Sequence, residues 1–297
     1  MNNTAELSVD NTAPFPFQLQ SHSSSGRINA LAQHIGAKLY LEIGVLNGAT
    51  FFAVTIPIKV AVDPNFLFDP KEHETSGTHF FPMPSDDFFK SLATGAPEAI
   101  PLTKGTPGGH PAFDIIFIDG LHTFEQSFRD FENSIAYAHE NTLWLLDDTV
   151  PSDPYSALPD QQKARIFRKS AGLAGGLWHG DVFKTVLAIH DRYLEFSYCT
   201  LMERNPQTVV WRHPRGAGKR TPVFSSLEEI AGLDYFAMLE HAALLMPTRS
   251  DTLCDLLGKA LDPARHGAPD AWKTLMHRKL VTTSEQLIRK KIKSRRP

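Results

Sequence analysis

Tyr40-Leu41-Glu42-Ile43-Gly44-Val45-Leu46-Asn47-Gly48-Ala49-Thr50 reads as a strand, a glycine turn and the start of a helix. Gly44 permits a tight turn. Gly48 lets a ligand approach the backbone, where a helix N-terminus offers free N–H groups and a partial positive charge. Asp63 lies nineteen residues after Gly44 and ends the next apolar run, where an acid can accept both hydroxyls of a ribose. A dinucleotide site would need G-x-G-x-x-G, with glycines spaced for a pyrophosphate. Here the spacing is G-x-x-x-G with Glu42 just before it, which disfavours a pyrophosphate and favours a ligand with a cationic end.

Outward from this segment, short apolar runs alternate with helical patterns. The runs are Lys38–Ile43, Ile58–Asp63, His79–Met83, Phe113–Asp119 and Thr142–Asp147. Helices are expected near 48–54, 86–93 and 123–139, and an earlier one opens at Ser25-Gly26 and stops at Gly36. In the 123–139 helix, Phe124, Phe128, Phe131, Ile135 and Ala138 share one face, with Thr123 and Gln126 as a capping box. Such alternation implies an α/β fold with a parallel sheet covered on both faces. After the loop marked by Pro151, Pro154 and Pro159, a helix is expected near 160–172. The runs Val182–His190, Leu194–Leu201 and Thr208–Arg212 then suggest an antiparallel end to the sheet.

Three segments follow: a flexible lead-in over 1–20, the α/β domain over 21–215, and a helical extension with a basic tail over 216–297. The extension opens with a capping box, Ser226–Glu229. A net charge of -3 gives no reason to expect nucleic acid as the main partner. Two cysteines, no apolar run of spanning length and no signal-peptide pattern point to a cytoplasmic protein.

A second constellation is Phe117-Ile118-Asp119-Gly120-Leu121-His122, followed by Leu145-Leu146-Asp147-Asp148-Thr149. Each is an apolar strand ending in carboxylates. In a parallel sheet the carboxyl ends of the strands open onto one crevice. If these two strands are neighbours, Asp119, Asp147 and Asp148 converge there and repel one another unless a cation neutralises them. Hard oxygen ligands favour Mg²⁺. The plainer reading is that such acids cap helices or sit solvated in loops.

The first segment resembles motif I of class I S-adenosylmethionine-dependent methyltransferases, whose Rossmann-like sheet is parallel with an antiparallel end. The resemblance spans about 25–212. It implies that Glu42, Gly44, Gly48 and Thr50 contact the methionine part of S-adenosylmethionine, that Asp63 holds the ribose and that Ser85 sits beside the adenine. Read by itself, Ser85 is an N-cap residue. The second constellation resembles the metal-dependent O-methyltransferases of the catechol and macrolide-sugar types. That resemblance implies Mg²⁺ on Asp119, Asp147 and Asp148, with His122 as the base. Histidine at that position and aspartate as the last ligand match the sugar type.

These features lead us to expect a Mg²⁺-assisted O-methyltransferase acting on a hydroxyl of a sugar or other small polyol or phenol, with self-association open. A metal-independent methyltransferase and a cofactor-binding module without catalysis remain as alternatives. Trp178-His179-Gly180-Asp181 resembles a loop of the sugar-type enzymes, but it precedes a run read as a strand, which would place it away from the crevice. The loop 149–160 is the better substrate lid. The tail Arg289–Arg296 carries six basic residues in eight and reads as a solvated end, with an anionic partner as the alternative.

Overall fold

The computed structural model describes residues 23–99, 102, 110–173, 175–203, 205–215 and 221–260. The lead-in over 1–20 and the basic tail lie outside them. The first helix, α1, is Ser24–Ile35; Ser23 caps it by accepting from Gly26 N, and Gly36 closes it in the left-handed conformation. There follow β1 (Leu39–Ile43), α2 (Ala49–Ala53), β2 (Ile58–Val62), β3 (Thr78–Phe81) and α3 (Ser85–Thr94). Next come β4 (Phe113–Ile118), α4 (Phe124–Ile135) and β5 (Ala138–Leu146).

The expected antiparallel end needs a correction. Val182–His190 is not a strand; Phe183–Arg192 is a helix, α6, which follows α5 (Gln161–Ser170). It leads into the hairpin of β6 (Phe196–Leu201) and β7 (Gln207–Arg212). The sheet order is β3-β2-β1-β4-β5-β7-β6, continued by the short β8 (Pro247–Thr248). Only β7 is reversed against its neighbours, so β6 runs parallel to β5. A parallel pair needs a crossover, usually helical, and α6 supplies it. Its sequence hid this because Phe183 to Ile189 is buried on every side. Lys184 and Thr185 are buried with the rest and mark no solvent face, and a short buried segment does not tell a helix from a strand.

α4 also ends earlier than its periodicity suggests. Ala138 belongs to β5, paired with Phe113 of β4. The Thr123–Gln126 capping box does not form, since Thr123 makes no side-chain cap. Instead Asp181 Oδ1 accepts from Phe124 N at 2.7 Å.

Alternate residues along each strand face opposite sides of the sheet. Leu41, Ile43, Val60 and Val62 pack with Phe88, Phe131 and Val186 on one face. Tyr40, Ala61, Ile115 and Phe117 pack with Ile28, Leu31 and Phe51 on the other. Both faces are therefore dry, and the strands read as continuous apolar runs. The extension joins the same body through α7 (Leu227–Ala231), α8 (Tyr235–Glu240) and α9 (Ser250–Ala260). Its Ile230, Met238 and Leu245 enter the first cluster, and Leu253 and Leu257 the second. In the Ser226–Glu229 capping box, Ser226 Oγ accepts from Glu229 N, while the Glu229 carboxylate turns back to Ser225 N. No described helix is long and apolar enough to cross a membrane.

Phe131 is fully buried, with ring contacts to Trp144, Tyr193 and Phe196 at centroid distances of 5.5–5.7 Å. Phe131→Ala should lower unfolding free energy by about 3–5 kcal/mol. Denaturant melts would check this; a loss below about 1 kcal/mol would mean that α4 does not anchor the sheet.

Candidate active site

The hydrogen-bond ladder of the sheet runs one residue past the strands. Gly44 N donates to Val62 O at 2.9 Å, Asp119 N to Ile43 O at 2.9 Å, and Asp147 N to Ile118 O at 3.0 Å. This aligns the ends of β1, β4 and β5 on one edge, as expected for a parallel sheet. Gly44 has φ +86°, and a Cβ there would collide with the Asp119 carbonyl. The glycine is therefore required by contact between the two strand ends as well as by the turn.

Around the turn, Asp63 Oδ2 accepts from Val45 N and Leu46 N, both at 2.8 Å, and Oδ1 accepts from Asn65 N at 2.7 Å. The carboxylate thus braces the loop after β1. Glu42 is buried and accepts from Tyr40 OH at 2.6 Å. Burial raises its pKa to about 8. Gly48 is buried at the start of α2 under the Phe52 ring, and Thr50 lies half-buried in the first turn of that helix. Ser85 is not an N-cap. It is the first residue of α3, and its hydroxyl donates to Asp130 Oδ1 at 2.6 Å, where Gln126 Nε2 also donates at 2.9 Å.

At the ends of β4 and β5, ligand atoms of Asp119, His122 and Asp148 lie within 4.8 Å of one another. His122 Nε2 is 3.5 Å from Asp119 Oδ1, and Nδ1 is 2.9 Å from Asp148 Oδ2. Asp147 is oriented differently. Its Oδ1 accepts from Asp148 N at 2.8 Å and from Asn205 Nδ2 at 3.1 Å, and its Oδ2 accepts from Gln207 Nε2 at 3.1 Å. Burial, together with the charges of Asp119 and Asp148, raises Asp147 to about 8. Burial works to lower His122, but hydrogen bonds and charge from Asp119 and Asp148 outweigh it and push the imidazole up to about 11.

The Trp178–Asp181 segment lies at this site and not away from it. The Trp178 ring stacks on His122 with centroids 4.9 Å apart, and the Trp178 carbonyl is 2.8 Å from His122 Nδ1. Gly180 has φ +62° and packs so closely on the His122 backbone that any Cβ would collide with its carbonyl. His179 is buried, with Nε2 3.9 Å from Asp148 Oδ1. The loop 149–160 holds the segment: Ser156 O accepts from His179 N and Gly180 N, and Leu158 O from Trp178 Nε1. Asp181, besides capping α4, pairs with Lys184 at 2.8 Å, and Lys184 also donates to Ala231 O of α7. The sequence reading missed these contacts because it took 182–190 for a strand. With α6 as a crossover helix, the residues before it return to the carboxyl edge.

A parallel sheet closed by one reversed strand, with a glycine turn after β1 and acids after β2, β4 and β5, defines the Rossmann-like class I methyltransferase fold. Residues 41–149 match the methyltransferase domain family Methyltransf_24, a stretch that contains every cofactor, metal and base candidate named above. Over those residues the chain is similar to methyltransferase domains. Among solved structures it is similar to the SAH-bound methyltransferase PaMTH1 of Podospora anserina, with 12% identity, 63% of this chain and 77% of that one covered, and a TM-score of 0.43. For the SAH-bound O-methyltransferase of Bacillus cereus the values are 14%, 67%, 84% and 0.39. MycE of the mycinamycin pathway, solved with Mg, SAH and mycinamycin VI, gives 12%, 65%, 50% and 0.39. No curated protein sequence matches the chain.

Glu42 sets a pH test. Unfolded, its carboxyl ionises near 4.5; folded, it keeps its proton to about 8. Between those values the folded state binds the extra proton, so stability falls with rising pH at about 1.4 kcal/mol per unit. Glu42→Gln keeps an acceptor for Tyr40 and should remove this contribution. Thermal melts at pH 5 and pH 8 should therefore differ less in the variant than in the parent; an equal difference would mean that Glu42 is ionised in the fold.

Proposed function

We propose that the protein is a Mg²⁺-assisted O-methyltransferase whose acceptor is a hydroxyl of a sugar or another small polyol or phenol. The observation that carries this reading is the convergence of Asp119, His122 and Asp148 beside the glycine turn. In this reading Glu42, Gly44, Gly48 and Thr50 take the methionine part of S-adenosylmethionine, Asp63 the ribose and Ser85 the adenine side. Asp63 retains lone pairs beyond its three backbone contacts for ribose hydroxyls.

Two carboxylates with open positions suit Mg²⁺, which commonly takes one or two acids and completes its shell with water and substrate oxygens. Asp119 and Asp148 would hold it, with Asp147 adjoining. S-adenosylmethionine supplies the methyl group, and Mg²⁺ when bound lowers the pKa of the acceptor hydroxyl. His122 Nδ1 faces two acceptors, the Trp178 carbonyl and Asp148 Oδ2, and therefore carries a proton. Nε2, which faces Asp119 Oδ1 at 3.5 Å, is the nitrogen that would take the hydroxyl proton once a cation engages that carboxylate. To do so His122 must be neutral, which the two carboxylates alone oppose. Compensating positive charge beside them is thus a condition for the base, and the acids and the histidine form one device.

The same contacts favour a second reading. A protonated His122 between Asp119 and Asp148 neutralises part of their charge without any metal. The enzyme would then be metal-independent, with the acids positioning the acceptor.

Methyl transfer to a panel of sugars, polyols and phenols tests both. EDTA should abolish turnover and Mg²⁺ restore it; full activity in excess EDTA would leave only the metal-free reading. His122→Ala should lower kcat by roughly 10²–10⁴ with S-adenosylmethionine affinity unchanged. Near-parental kcat would remove the histidine from the chemistry.

Asp63→Ala should weaken S-adenosylmethionine binding by about 1.5–3 kcal/mol, the range for hydrogen bonds to a charged group. Calorimetry showing parental affinity would exclude Asp63 as the ribose acid.

A further inference from the structure

Asp148 stands in the left-handed region with φ +57°, a conformation that a non-glycine residue keeps only where its surroundings impose it. In that conformation its carboxylate meets His122 and joins the group that includes Asp119. The contact that secures the turn is the bond from Asp148 N to Asp147 Oδ1 at 2.8 Å. Asp147 is secured in its turn by Gln207, through Nε2 and Oδ2 at 3.1 Å.

Gln207 is fully buried at the start of β7, and its amide has no freedom to flip. Its Oε1 accepts from Arg27 Nη1 at 2.8 Å, so the NH₂ end must face Asp147 and Ser24 Oγ. Arg27, on α1, is also fully buried. Its Nη1 donates to the Asn205 carbonyl and its Nη2 to the Glu203 carbonyl, both at 2.5 Å, which fixes the β6–β7 turn. That turn carries Asn205, whose side chain is the remaining donor to Asp147.

We propose that Arg27 and Gln207 are positioning residues of the cation site: Arg27 orients the Gln207 amide, Gln207 holds Asp147, and Asp147 holds Asp148 in its turned conformation. The inference rests on the reading of Asp119 and Asp148 as cation ligands. Partners of this kind, one step behind the ligands, typically change metal affinity by 10–100-fold when removed.

The test is a Mn²⁺ titration of the full chain by calorimetry, with electron paramagnetic resonance of the free ion as a second readout. Gln207→Leu should weaken Mn²⁺ binding by 10–100-fold. Gln207→Glu keeps an acceptor for Arg27 but loses the donor to Asp147. If Gln207 positions Asp147, this variant should bind Mn²⁺ as weakly as Gln207→Leu. If Gln207 only packs against Arg27, it should bind like the parent, which overturns the proposal. Should Gln207→Leu fail to fold, Gln207→Glu carries the test alone. Parental affinity in either folded variant also overturns it. Failure of the parent itself to bind Mn²⁺ or Mg²⁺ would show in the parent titration, and would end the cation reading together with this one.

Discussion

The site depends on a contact between two backbones. The turn after β1 and the end of β4 meet at Gly44 and Asp119, with no room for a side-chain carbon between them. This closeness brings the loop after β1 into contact with the residue that carries the first carboxylate of the cluster. A larger residue at Gly44 would separate the strand ends, and both halves of the site would lose their common frame. The ladder bonds of Gly44, Asp119 and Asp147 continue the sheet to the same edge, so the alignment is inherited from strand pairing.

Charge is the second constraint. Asp119, Asp147 and Asp148 gather at the ends of two neighbouring strands, and like charges in a poorly solvated cleft oppose one another. The protein answers with three kinds of donor. His122 sits between Asp119 and Asp148. The Gln207 and Asn205 amides serve Asp147. Backbone N–H groups serve Asp63 and Asp147. Asp119 and Asp148 keep only the imidazole between them, and the three ligand atoms lie within 4.8 Å of one another.

The segments flanking the sheet converge on His122. Trp178 stacks on it, Gly180 packs against its backbone, and Asp181 caps the helix that follows it. Through Lys184, Asp181 is also tied to α7 of the extension. On the opposite side, Arg27 of α1 reaches the β6–β7 turn. Elements far apart in the chain thus set one imidazole and two carboxylates.

The sequence by itself determined the fold class, the glycine turn and the candidate acids. Continuous apolar runs, the 3.6-residue period, strand-end carboxylates and glycine spacing are local signals, and local signals survive in a linear reading. It misjudged 182–190 because a segment buried on all sides has no polar face to betray its period. Only the tertiary structure decided the rest. It separated Asp147 from Asp148, adjacent residues whose side chains part because Asp148 adopts φ +57°. It brought Trp178 onto His122 because β6 runs parallel to β5, so the crossover helix α6 starts at the carboxyl edge and the residues just before it lie there. It buried Arg27, a residue unremarkable on an amphipathic helix, behind the site. In each case the deciding quantity is a pairing between residues distant in the chain, which no window along the sequence contains.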